Sequence, residues 1–286
     1  MNMNMKKMLL LLFMVSLLAG TSFAQDNVKK IISYNVLEGL KQDSTNQQMF
    51  IEWVREIDPD VIAYQEMNKF TQKSLESFAR EYNHPYAILS KMEGYPVAIS
   101  SKYPIVNVQK VVDNMWHAYI YANIDNIHFF VIHFSPHSLK KRQEEVNLII
   151  AHAKPLPSDE PVLIMGDFNS MDKSDAGQYN DTMVENMRKR EESQPHIRNL
   201  NDGDIDYTVL DRLKQSGFID TFWLTNDTFK PSVTTPKFGT PSRRIDFIWS
   251  NQAAADKVVN GTILHDERTD VMSDHYPVYV ELDFSK

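Results

Sequence analysis

The 286-residue chain contains no cysteine. That absence removes disulfides, thiolate metal sites and cysteine nucleophiles together, so packing alone must hold the fold. It also excludes a lipid-anchored cysteine near the start of the chain. Beyond the first residues there is no unbroken apolar run of membrane-helix length, so no stable membrane anchor is expected. No serine sits in a nucleophile elbow, and nothing in the chain resembles a linker or an internal repeat. Positive charge is not in excess either: the formal net charge is −8. Strong general attraction to polyanions is therefore not built in, which leaves open only a local basic groove.

What is present begins with an export signal. Lys6 and Lys7 precede an apolar run over residues 8–19, and Ser22-Phe23-Ala24 places small residues at the two positions a signal peptidase reads. Residues 1–24 are expected to be removed, leaving a mature chain that starts at Gln25 and is secreted or periplasmic. Loss of Lys6 and Lys7, with no acid before residue 25, takes the net charge from −8 to −10. Residues 25–286 suffice for one large domain with a substantial core, expected to be monomeric.

Short apolar runs alternate with amphipathic stretches. Strands are expected over residues 28–36, 61–64, 97–99, 105–112, 117–124, 128–133 and 161–166, in a segment over 244–249 with Asp246 in its middle, and over 276–282. Helices are expected over 47–57, 71–82, 139–153, 181–191 and 209–217, the last ended by a glycine cap. Residues 171–206 read as a surface excursion. The pattern predicts a mixed α/β layered domain.

The stretch Pro161-Val162-Leu163-Ile164-Met165-Gly166-Asp167-Phe168-Asn169-Ser170 organises the argument. A core strand runs into a glycine that permits a turn or a close approach. Asp167 and Asn169, two apart, share one side if the chain stays extended. That pair suits a metal, a water or a phosphate, or else simply caps a turn. Similar polar junctions recur at Asn35, Glu66, His133 and Asp274-His275. Five in one domain suggest a shared rim, because neighbouring strands bring their ends together. Hard oxygen donors without thiolates favour magnesium or manganese over structural zinc, and an open magnesium site suits phosphate esters.

In order along the chain stand Ser33-Tyr34-Asn35, Gln65-Glu66, Val97-Ala98-Ile99-Ser100-Ser101, Ile132-His133, Gly166-Asp167-Phe168-Asn169, Arg244-Ile245-Asp246-Phe247-Ile248 and Ser273-Asp274-His275-Tyr276-Pro277-Val278. Together they resemble the endonuclease/exonuclease/phosphatase family, which includes pancreatic-type deoxyribonuclease, abasic-site endonucleases, sphingomyelinases and inositol-phosphate phosphatases. The resemblance covers residues 28–284. It implies a four-layer α/β (α+β) sandwich, in which two mixed, mainly antiparallel sheets pack face to face between helices. It also implies a metal-dependent phosphoesterase using Mg2+ or Mn2+ and an activated water. The substrate would be a phosphate ester: nucleic acid, a phospholipid headgroup, or a sugar or inositol phosphate. Secreted nuclease is one alternative, and a non-catalytic binding protein on the same scaffold is another.

By the same resemblance, Glu66 is the principal metal carboxylate and Asp274 a second acid near metal and water. Asn35 orients Glu66 or the scissile phosphate. Asp167 and Asn169 position water and phosphate, His133 serves the leaving side, and His275 with Asp246 forms a base dyad. A carboxylate on one ring nitrogen fixes the tautomer and raises the basicity of the other. Asp246, flanked by apolar residues, also needs that partner for itself. Arg142, Arg243, Arg244 and His137 are candidate phosphate contacts, while Trp116 and Trp223 read as core. The chain departs from abasic-site endonucleases in having Tyr34-Asn35 and Glu66-Met67-Asn68. It departs from pancreatic-type enzymes in lacking any disulfide. It also has no basic or aromatic insertion suited to a lipid surface.

Overall fold

The computed structural model describes residues 27–240 and 242–285. The expected signal peptide, residues 1–24, lies outside the described residues. No helix among the described residues is long and apolar enough to cross a membrane.

Two six-stranded sheets form the body. The first contains β1 (Val28–Asn35), β2 (Val61–Gln65), β3 (Tyr86–Leu89), β4 (Ala98–Ser101), β13 (Val258–Ile263) and β14 (Val278–Asp283), in the order β13-β14-β1-β2-β4-β3. The second contains β5 (Ile105–Val111), β6 (Ala118–Ile124), β7 (Ile127–His133), β8 (Val162–Asp167), β11 (Ile219–Asp220) and β12 (Asp246–Ser250), in the order β11-β12-β8-β7-β6-β5. The short strands β9 (Leu200–Asn201) and β10 (Asp204–Ile205) pair with each other. Each large sheet has one parallel pair, β1 with β2 and β7 with β8, and is otherwise antiparallel. Helices cover the outer faces, which makes the expected four-layer sandwich.

The apolar runs lack simple alternation because both faces of each sheet are buried. Period two still decides which face a residue serves. Ile31, Ala63, Leu163, Met165 and Ile248 point between the sheets. Their neighbours Ile32, Ile62 and Tyr64 face α1 (Ser44–Ile57) and α2 (Gln72–Arg80), meeting Phe50, Trp53, Val54, Leu75 and Phe78. Ile164, Phe247 and Trp249 face α3 (Leu139–Ala153) and α5 (Thr208–Gln215) through Val146, Ile149, Leu210 and Leu213.

Side-chain caps set the helix starts. Asp43 accepts from the Thr45 and Asn46 amides before α1, Thr71 and Ser74 form a capping box on α2, and Ser138 accepts from Lys141 on α3.

Several boundaries differ from expectation. β12 starts at Asp246, so this residue stands at the strand's mouth and not in its middle, because pairing begins opposite Asp167. β3 leaves no periodic signal in the sequence, because it is four residues long, lies at a sheet edge and is partly exposed. β4 and β5 belong to different sheets, and Lys102–Pro104 carries the chain across. After α5 the chain forms the two-residue strand Ile219–Asp220 and one 3-10 turn. Residues 171–206 hold α4 (Asp181–Ser193), which buries no residue, and the β9–β10 pair.

Under α2 lies a fully buried polar network. His84 makes two hydrogen bonds of 2.8 Å, to the Pro59 carbonyl through Nε2 and to Ser100 Oγ through Nδ1. Ser100 in turn meets Tyr64, whose hydroxyl reaches Tyr82. Burial pulls the His84 imidazole down to about 4 from its ordinary 6.5. The unfolded chain therefore takes up a proton near pH 6.5 that the folded chain refuses until about pH 4. Stability should fall as pH drops through that window, His84 contributing about 3 kcal/mol of the loss. Denaturant unfolding at pH 7.5 and 4.5 should show this slope reduced in His84→Gln; an equal slope would refute the assignment.

Candidate active site

The parallel pairs bring four strand C-termini to one end of the sandwich. The antiparallel partners β12 and β14 present their N-terminal ends there. Asn35 ends β1, His133 ends β7, Asp167 ends β8 and Asp246 opens β12; Glu66 follows β2, and Asp274-His275 precede β14. His133, Asp167 and Asp246 lie side by side in register on three adjacent strands. Gly166 makes the fit of β7 and β8 possible. It has φ of 149°, and a Cβ there would lie 2.0 Å from the Ile132 carbonyl oxygen.

Asp167 is the meeting point of the two sheets. Its Oδ1 accepts from the Asn169 amide at 2.8 Å, and its Oδ2 accepts from Asn35 Nδ2 at 3.2 Å. His133 Nε2 lies 3.5 Å and His275 Nε2 3.9 Å from the same Oδ2. Asn35 also donates to Glu66 Oε1 at 3.3 Å, while the Glu38 amide donates to Glu66 Oε2 at 3.0 Å. Glu66 itself has φ of 62°, a left-handed conformation that turns the chain sharply at the end of β2. Asn169, also left-handed, donates its side-chain amide to the Phe134 carbonyl at 3.1 Å.

His275 Nδ1 bonds Asp246 Oδ2 at 2.8 Å. Ser232 Oγ donates to that same oxygen at 2.7 Å and accepts from the Ile245 and Asp246 amides. Ser273 Oγ donates to the Asn35 carbonyl at 2.7 Å and accepts from the His275 amide, tying β1 to the histidine.

The charges are strongly coupled. Burial by itself would lower the His275 imidazole, but Asp246, its hydrogen bond and Asp167 outweigh burial and hold it above its ordinary value. Burial, with the Asp246 charge, raises the Asp167 carboxyl. Burial also raises Glu66, whose hydrogen-bond partners are neutral. His133 is pushed the other way: burial and the stacked His117 ring, 4.2 Å between centroids, keep its imidazole neutral.

Asp167, Asp246 and His275 can bring one donor atom each to within 4.8 Å of one another, so this buried group could hold a metal. Glu66 and Asp274, the expected metal carboxylates, are not in that trio. The trio is, however, already paired within itself, whereas Glu66 has a carboxylate and no ion-pair partner among the described residues. Four carboxylates, of Glu66, Asp167, Asp246 and Asp274, act on the single His275 ring, an excess of negative charge that a divalent cation fits.

The outer candidates separate. Arg244 does not reach the site: it is 1 % exposed and locked by Asp175 Oδ2 at 2.8 Å and Asp220 Oδ2 at 2.6 Å, so its phosphate contact is withdrawn. Arg142 and Arg243 line a pocket that opens beside Asn169, Asp274 and His275. His137 stands edge-on between Trp116 and His196 and does not line that pocket. Trp116 is 48 % exposed and is not core. Trp223 is half-buried, its indole donating to Asp175. Ser232 and His117 have no signal of their own in the sequence, since their roles come from residues elsewhere in the chain.

This geometry has counterparts. The Endonuclease/Exonuclease/phosphatase family matches residues 32–275, and the chain belongs to it. Its members are hydrolases acting on phosphoester bonds. A search of curated proteins found no match. Among solved structures, an AP endonuclease from Archaeoglobus fulgidus superposes with a TM-score of 0.67 at 17% identity, covering 89% of this chain and 99% of that one. The 3' phosphatase NExo from Neisseria, bound to a product DNA hairpin, gives 0.66 at 16% identity over 89% and 99%. An endonuclease/exonuclease/phosphatase from Beutenbergia cavernae gives 0.65 at 16% over 90% and 71%. At these identities the likeness concerns the fold.

Replacing Gly166 by Ala forces the added methyl into the Ile132 carbonyl and displaces Asp167. A loss of about 2–4 kcal/mol is expected in denaturant unfolding. Unchanged stability would mean that the β7–β8 contact is looser than the structure requires.

Proposed function

We propose that the chain is an exported, metal-dependent phosphoesterase that cleaves a phosphate ester with a water activated by His275. The observation that carries this reading is the line Asp246–His275–Asp167: a buried carboxylate on Nδ1 and, on the Nε2 side, a second carboxylate 3.9 Å away. The bond to Asp246 commits Nδ1–H and leaves Nε2 as the atom that takes the water proton. Asp167 Oδ2 accepts the water's other hydrogen and orients it. Asn169 and Asn35 hold Asp167 in place, and their amides border the position of the phosphoryl oxygens. His133, a neutral imidazole, donates its Nε2–H to a phosphoryl or leaving oxygen. Ser232 holds Asp246 in its orientation toward His275.

Glu66 and Asp274 are the residues that would hold magnesium or manganese. When bound, such an ion polarises a phosphoryl oxygen and offsets the carboxylate excess. Asn35 and the Glu38 amide fix the direction of the Glu66 carboxylate toward that position.

Export rests on Lys6, Lys7, the apolar run 8–19 and the Ser22-Phe23-Ala24 junction. N-terminal sequencing of protein recovered outside the cytoplasm should begin at Gln25.

Mature protein with magnesium or manganese should hydrolyse at least one of bis-aryl phosphate, mono-aryl phosphate, DNA, RNA, sphingomyelin or inositol phosphates, and a chelator should abolish the turnover. Absence of turnover across the panel would favour a binding protein on this scaffold. His275→Ala and Glu66→Ala should each lower turnover about 10²–10⁴-fold and keep the fold, Glu66→Ala with an unfolding midpoint close to wild type and His275→Ala with a lower one because Asp246 loses its partner. Asp246→Asn should lose a similar factor through the wrong imidazole tautomer. Near-wild-type rates in any of the three would overturn its assigned role.

A further inference from the structure

A second set of charges beside the site is unbalanced. A pocket of about 190 Å3 opens next to His275 and Asn169, walled by Arg142 from α3, by Arg190 and Met187 from α4, and by Arg243 ahead of β12. Arg142 is 3 % exposed. Its Nη1 donates to the Ser135 carbonyl at 3.0 Å and to Asn199 Oδ1 at 2.7 Å, while its buried Nε has no partner. Glu145, three residues further along α3, spends its carboxylate on the Trp116 and Ser135 amides. Arg243 is half-buried and makes no side-chain hydrogen bond or ion pair among the described residues, unlike Arg244 beside it. Asp206, which also lines the pocket, is already bonded by Asn201 and Thr208.

Two guanidinium groups withdrawn from water without a carboxylate at ion-pair distance are costly unless an anion joins them. The guanidinium fork matches phosphate in particular. The volume is below the ~300–1,000 Å3 of a site for a whole drug-sized ligand, and suits one phosphate with a few carbon atoms. Met171, Val233 and Ile245 supply an apolar wall for those carbons.

We propose that Arg142 and Arg243 form a subsite for a second phosphate group of the substrate, held a few atoms from the phosphate that is cleaved. This rests on the phosphoesterase reading and narrows it to substrates with two phosphates close together. A small bis-phosphorylated molecule and the next phosphate of a nucleotide chain share that chemistry.

Two aryl phosphodiesters, with and without a terminal phosphate three or four bonds from the scissile ester, test the subsite, and short single-stranded DNA gives a third arm. Wild type should favour the phosphorylated diester at least about tenfold in kcat/KM, mainly through KM. In Arg243→Gln the preference should collapse toward one, and Arg243→Lys should restore part of it. Arg188→Gln removes a charge from α4 outside the pocket and should keep the preference. Calorimetric titration of inorganic phosphate into metal-free protein supplies a readout without turnover, with affinity at least about tenfold weaker in Arg243→Gln.

Equal kcat/KM on both diesters, with equal phosphate affinity in wild type and Arg243→Gln, would refute the subsite and leave the phosphoesterase reading intact. No cleavage with Arg243-dependent phosphate binding would do the reverse. DNA cleaved better than the bis-phosphorylated diester, again with dependence on Arg243, would assign the second phosphate to a nucleotide chain.

Discussion

Every charge buried at the strand-end rim has to find its partner on another strand, and that constraint organises this end of the molecule. Asp167 leaves the second sheet carrying a carboxylate into an almost dry environment. It is tolerated because Asn35 reaches across from the first sheet, and because His133 and His275 flank it. Asp246 depends in the same way on His275 and Ser232. A buried ion without such neighbours would cost several kcal/mol, so the two sheets are locked to each other by what their ends must satisfy.

The same rule operates one layer away. Arg244 is enclosed by Asp175 and Asp220, and the rings of Phe222 and Phe247 lie against its guanidinium. That contact ties the segment after β8 to β11 and β12. The long excursion over residues 171–206 is therefore anchored, and its far part can stand as a wall of the pocket beside His275. Arg142 and Arg243 lack such enclosure, and this difference between neighbouring arginines is what separates a structural cation from one available to a ligand.

Much of this was legible in the residues. The alternation of short apolar runs with amphipathic stretches marked most of the strands and the five principal helices, because all of these except α4 bury both of their faces or one stripe. Asn35, Glu66, His133, Asp167 and His275 announced themselves as polar residues where apolar runs stopped. Less was legible where a residue's task depends on a distant partner. Tyr86–Leu89 is too short and too exposed to show a period. Arg243 and Arg244 are adjacent and chemically identical in the sequence, yet one side chain enters the core and the other the pocket. Trp116 reads as core, but its ring is half exposed and meets His137 edge-on.

The sequence by itself determined the layered α/β architecture, the family resemblance and the inventory of oxygen and imidazole donors, because periodicity and residue chemistry are local properties. Only the tertiary structure decided which donors meet. It placed Asp246 at the mouth of its strand, joined Ser232 to Asp246, stacked His117 on His133 and sent Arg244 away from the site. Those outcomes depend on strand register and on the packing of one sheet against the other, which are set by contacts between residues tens to hundreds of positions apart.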